Sequence, residues 1–276
     1  MIVGQDVSSW QGDIDWNTYK NNSNFVIIRS SYGNGYTDNK FFRNRDEARR
    51  VSLPRGFYHY AYPQYNSPED ECDWFLNLVG VQDGESLYLD YEENWSGDKV
   101  DWCKRFLDRM SSKLNGYKGT IYLNQSLASG NDWSPLYNAG YKLWIAAYTY
   151  DPYKNNYNIG TWPEAIMQQW TNQQQVPGII GNVDGNVFFG DVNGFKNIGY
   201  KSPPPPTTST STTTTTSLPP PPPPPPQTTS TTTTLTPPPP PDYKSYLVRI
   251  KDIMYGRGFF WTKMANVKKV LTESQV

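Results

Sequence analysis

The sequence predicts a (β/α)-barrel over its first 200 or so residues, and three observations carry that expectation. Short apolar runs alternate with amphipathic ones; eight apolar runs occur, enough to close a barrel; and the turn after the first run, DVSSWQG, has no glycine-rich phosphate loop. Such a loop would favour an open doubly wound sheet, the runner-up architecture.

The elements follow in order. GQDVS leads into IDWNTYKNN, FVIIRSSYG into FFRNRDEARRV, GFYHYAY into SPEDECDWFLNLV, and SLYLDYEEN into DKVDWCKRFLDRMSSKL. Each pair joins a strand-forming run to a stretch with helical period. Ser67 ahead of Pro68 and a run of acids reads as an N-cap, with proline at the first helical position and negative charge at the positive end of the dipole. From Gly119 onward, TIYLN, LWIAAYT, AIMQQWT and NVFFG are separated by loops or short helices. The last third of the barrel should therefore be short of helices.

Composition divides the chain into a barrel domain at 1–201, a linker at 202–241 and a small helical segment at 242–276. The linker is almost wholly Pro, Thr and Ser, which cannot bury a core and favours extended polyproline II. Before Ser202 there are 18 Lys and Arg against 23 Asp and Glu, a balance of −5, whereas after Pro241 there are 7 against 3. An acidic body without a Lys/Arg stripe excludes a nucleic-acid face. The single histidine, His59, removes His-rich zinc hydrolases and Ser-His nucleophile systems, so no metal or cofactor is expected. Cys72 and Cys103 fall in helical stretches, match no zinc spacing and read as packing residues, with their pairing open. The opening MIVGQDVSSW lacks the basic and apolar regions of a secretory signal, and no apolar run nears the roughly 20 residues of a membrane span. Synthesis as a soluble cytoplasmic protein is the expectation.

Chemistry must then fall to carboxylates. Asp90 and Glu92 are two apart on a strand and project to one face, with Tyr91 on the other. Crowding and partial desolvation at a barrel mouth should raise the pKa of at least one of them, as a general acid requires. Asp6 ends the first strand and Asp184 opens the last, and these strands are neighbours once a barrel closes. Four acids would then share one cavity, a costly gathering of charge that points to function. Tyr32, Tyr62, Tyr122, Asn124, Trp144 and Tyr148 lie at strand ends beside them, and their ring faces and polar tips suit a glycan cleft.

GQDVSSWQGDIDW, GFYHYAY, LYLDYEEN and PGIIGNVDGNVFFG, in this order over residues 1 to about 200, resemble the successive signatures of family 25 lysozymes. The resemblance implies hydrolysis of the β-1,4 bond between N-acetylmuramic acid and N-acetylglucosamine in bacterial peptidoglycan. It assigns catalysis to Asp90 and Glu92, supported by Asp6 and Asp184. Glu92 is then the proton donor, while Asp90 either assists the substrate's own 2-acetamido group, with retention, or attacks directly; both stay open. Tyr91 stands where an aliphatic residue is usual. Gln168 stands where a tryptophan often precedes the pair Gln169 and Trp170, which bears on one wall of the sugar site. A bacteriophage endolysin, reaching the wall after release from the cytoplasm, fits the opening residues. The basic segment at 242–276 suits contact with an anionic wall polymer, a membrane surface or another copy of itself. The readings that compete are a chitinase-like hydrolase and a non-catalytic glycan-binding module.

Overall fold

A computed structural model of the chain describes residues 1–203, so the expectations for the linker and the segment at 242–276 lie outside the described residues. Among the described residues, nine strands form one sheet: β1 (Ile2–Val7), β2 (Phe25–Tyr32), β3 (Tyr36–Thr37), β4 (Arg55–Tyr60), β5 (Ser86–Asp90), β6 (Thr120–Asn124), β7 (Lys142–Ala146), β8 (Met167–Gln174) and β9 (Val183–Phe188). Their order is β1-β9-β8-β7-β6-β5-β4-β2-β3, and β1 also pairs with β2. The ring is therefore closed by eight strands, while β3 is a short flap paired only to β2.

Seven of the ring strands run parallel, but β9 is antiparallel to both its neighbours, β1 and β8. The ring thus departs from the all-parallel arrangement of a regular (β/α)-barrel. The physical reason is length: only residues 175–182 join β8 to β9, too few for a parallel crossover of a dozen residues or more. The reversal decides where Asp184 sits. In a parallel strand its place near the start would put it at the floor; in the antiparallel β9 it pairs with Asp6 at the mouth.

Side chains alternate between two cores. Phe25, Ile27, Tyr58, Tyr88, Tyr122, Trp144, Met167 and Phe188 fill the barrel. Phe195 of a short helix near the end of the described chain, Val192–Asn197, stacks on Phe25 with centroids 4.5 Å apart and meets Phe188 at 5.5 Å, closing the floor. Gly56 makes room inside for Tyr88, since a Cβ there would come within 2.4 Å of that ring.

The outer core lies between the strands and helices α1 (Trp16–Tyr19), α2 (Phe41–Arg50), α3 (Pro68–Val79) and α4 (Lys99–Lys113). Ser67 caps α3 as the sequence predicts, its hydroxyl accepting from Asp70 N–H at 3.2 Å. Past β6 the two helices before β7 have only six and five residues, in line with the expected thinning. Cys72 and Cys103 are buried free thiols.

A buried polar link joins α3 to the barrel wall. His59 Nε2 meets Glu71 Oε2 at 2.8 Å, and His59 Nδ1 meets Ser31 Oγ at 2.8 Å. The Glu71 carboxylate also accepts from Tyr62 N–H at 3.1 Å and Asn66 Nδ2 at 2.9 Å. The loop after β4, which carries Tyr62, is thereby tied to the helix beneath it.

Candidate active site

The four acids meet at the mouth formed by the C-terminal ends of the parallel strands, where such barrels build their sites. Asp6 and Asp90 are each only 7% exposed, Asp184 is half-buried and Glu92 stands exposed at the rim. Burial, then the charge of Asp184, push the Asp6 carboxyl well above its usual range; the amides of Asn186 and Gln169 oppose this. Asp90 is likewise pushed well up, by burial first and then by the charges of Glu92 and Asp6. The inward carboxyl of the Asp90/Glu92 pair thus shows the expected crowding. Tyr91 points outward and is buried against Trp102.

Residues that sequence reasoning missed hold these acids in place. Asp6 Oδ2 accepts from Gln169 Nε2 at 2.9 Å and from Asn186 Nδ2 at 2.8 Å. Gln169 Oε1 in turn accepts from Tyr122 Oη at 2.9 Å and Tyr148 Oη at 3.1 Å, while Asn186 Oδ1 accepts from Trp144 Nε1 at 2.9 Å. Every partner of this chain is oriented by another, so Asp6 is fixed from two sides.

Arg29 is the second omission. Its Nε donates to Asp38 Oδ2 at 2.8 Å, and buried Asp38 also accepts from the N–H groups of Ser9 at 3.0 Å and Lys40 at 2.9 Å. Clamped this way, the guanidinium supplies positive charge that works against the upward push on Asp90. A charged residue inside the apolar run FVIIRSSY was the available signal.

The predicted aromatics separate into distinct places. Tyr32 and Tyr62 pack together at the β2 and β4 rim with centroids 4.8 Å apart, and Tyr65 continues the stack at 4.6 Å from Tyr62. Tyr122 and Tyr148 belong to the network around Asp6. Trp144 is 2% exposed and lies edge-on beneath Tyr122 at 4.6 Å, so it supports the site from inside the barrel and presents no open face. Asn124 is occupied as a helix N-cap, its Oδ1 accepting from Leu127 N–H at 2.9 Å. Among the described residues, Asp90 Oδ1 is a buried oxygen without a hydrogen-bond partner.

This barrel with its acid-lined mouth has known relatives. Glycosyl hydrolases family 25 matches residues 5–179, well over half of the chain. The chain belongs to glycosyl hydrolase family 25. Lysozyme M1 of Streptomyces globisporus is 28% identical over 207 residues, 68% of each chain. The bacterial lysozyme from Streptomyces coelicolor superposes with a TM-score of 0.61 at 23% identity, over 72% of this chain and 96% of that one, a likeness of fold. The catalytic domain of endolysin ply40 from bacteriophage P40 of Listeria monocytogenes gives 0.58 at 26% identity, over 71% and 97%.

One departure from the family 25 pattern resolves differently from its expected effect on the sugar site. Gln168 is fully buried on the strand face opposite Gln169, and its Nε2 donates to Ala147 O at 2.8 Å and Thr149 Oγ1 at 3.1 Å. It anchors the connection after β7 and forms no wall of the mouth.

Proposed function

We propose that this family 25 glycosidase is a lysozyme that cuts the β-1,4 bond between N-acetylmuramic acid and N-acetylglucosamine in bacterial peptidoglycan. The observation that carries the reading is the pair Asp90 and Glu92, one buried and one exposed, facing Asp6 and Asp184 at the mouth of a family 25 barrel. A binding module has no use for that repulsion.

In the proposed mechanism, Glu92 at the rim protonates the leaving oxygen. Asp90 holds the 2-acetamido group, whose carbonyl oxygen attacks the anomeric carbon. The partnerless Asp90 Oδ1 favours this over direct attack, because the acetamido N–H supplies the hydrogen bond it lacks. Arg29 favours the ionised carboxylate that accepts that bond. Water then enters from the same face with Glu92 as base, and configuration is retained. Asp6, fixed by Gln169 and Asn186, and Asp184 beside it frame the opposite side of the sugar.

The likeness to ply40 supports a finer reading, a phage endolysin; synthesis in a cytoplasm and action on the wall after release belong to that proposal. The direct test of the activity digests purified peptidoglycan, reduces the new ends with borohydride and identifies them by mass, with chitin as the comparison. N-acetylmuramitol ends are expected. N-acetylglucosaminitol ends, or cleavage of chitin alone, overturn the assignment.

A further inference from the structure

The connection after β7 carries two tyrosines that the chemistry at the four acids leaves unused. Tyr150 is 57% and Tyr153 76% exposed, two large rings displayed three residues apart on the connection that spans residues 147–166. Exposure here does not mean slackness. Tyr150 N–H donates to Trp170 O at 3.0 Å, Thr149 Oγ1 to Asp151 O at 2.8 Å, and Tyr153 N–H to Asp151 Oδ1 at 3.0 Å. Gln168 anchors Thr149 from below. Within this frame Tyr150 is held at φ 55°, a left-handed backbone that a bulky residue enters at a cost. Such strain persists where the surrounding structure over-determines it, and it gathers at ligand-binding positions.

The loop's place on the ring adds direction. Going round the eight strands, β7 is four from β2, just as β9 is four from β5. The acids sit on β1 and β9 and at the end of β5, so a line from the β2 and β4 rim to the β7 rim passes between them. One end of that line bears the Tyr32, Tyr62 and Tyr65 stack. The other end bears Tyr148, bonded into the Asp6 network, with the Tyr150 ring 6.3 Å beyond it.

We propose that Tyr150 and Tyr153 form an outlying glycan subsite, which holds a pyranose of a long strand on its ring faces while a bond further along is cut. The inference rests on the glycan-cleaving reading above. The loop's chemistry favours an uncharged sugar: its Asp151 and Lys154 face each other at 3.9 Å, leaving neutral rings with hydroxyl tips as the exposed elements.

The test compares wild type with a Tyr150→Ala/Tyr153→Ala double variant on two substrates. These are long glycan strands stripped of stem peptides by an amidase, and the shortest fragment the wild type cleaves. KM for the long strands is expected to rise about tenfold, equivalent to about 1.4 kcal/mol, with kcat retained and the short fragment cut as before. Tyr150→Phe/Tyr153→Phe, which keeps the rings, should restore the wild-type KM. An unchanged KM on long strands overturns the subsite. So does an equal rise on the short fragment. Failure of the wild type to cut any glycan strand, long or short, overturns the muramidase reading itself, and the subsite with it.

Discussion

Replacing Asp90 by asparagine should remove activity and, at the same time, stabilise the fold. Asp90 is buried, its Oδ1 has no partner, and Glu92, Asp6 and Asp184 all act against its charge, with Arg29 opposing them. Its folded pKa is therefore raised above the unfolded value of about 3.9. For a raised carboxyl the stabilising contribution is complete below the unfolded pKa and is lost as pH climbs through the folded one. Asparagine keeps the shape and cannot ionise, so the variant escapes that loss. Relief of a strained site is typically worth about 0.5–2 kcal/mol, which at about 2–4 °C per kcal/mol for a domain this size gives a rise of about 1–8 °C. The assay is differential scanning calorimetry of both proteins at pH 7 and pH 4. The gain should be present at pH 7 and fade at pH 4, where the wild-type carboxyl is protonated. No gain at pH 7, or an equal gain at both, would refute the reasoning.

Gln169→Leu removes the group that serves Asp6, Tyr122 and Tyr148 together. Leaving buried polar groups unmade should cost about 1–3 kcal/mol, seen as a lower Tm together with reduced activity; an unchanged Tm would show that the network holds nothing. Glu71→Ala breaks the buried link to His59 and frees the Tyr62 loop, so the urea midpoint should fall by an amount equivalent to about 3–5 kcal/mol. A loss below the range of surface substitutions would contradict this. Because the proposed chemistry runs on carboxylates, EDTA should leave peptidoglycan hydrolysis unchanged; inactivation reversed by added Mg²⁺ or Zn²⁺ would recast the acids as ligands.

Much of this architecture was legible because burial imposes a period. The eight apolar runs correspond to the eight ring strands, and the two-residue spacing of Asp90 and Glu92 placed Tyr91 correctly in the outer core. Strand direction was not legible, since an isolated apolar run reads the same either way. The short connection between Gln174 and Val183 that explains the reversal emerges only with the strand bounds, because the runs AIMQQWT and NVFFG alone leave residues 172–185 between them, enough for a parallel crossover. At the site, acids and aromatics announced themselves by type, whereas Gln169 and Asn186 look like ordinary strand amides until the barrel brings them onto Asp6. Asn124 and Trp144 show the converse: their residue types suit a sugar, but a cap and a buried hydrogen bond occupy them.

The central claim is that Glu92 donates the proton for cleavage, and Glu92→Gln tests it most directly. The amide keeps the shape and cannot serve as the acid. Reducing-end release from purified peptidoglycan should fall about 10²–10⁴-fold, while circular dichroism and Tm stay at wild-type values. A folded Glu92→Gln protein that releases reducing ends at a near-normal rate would contradict the account.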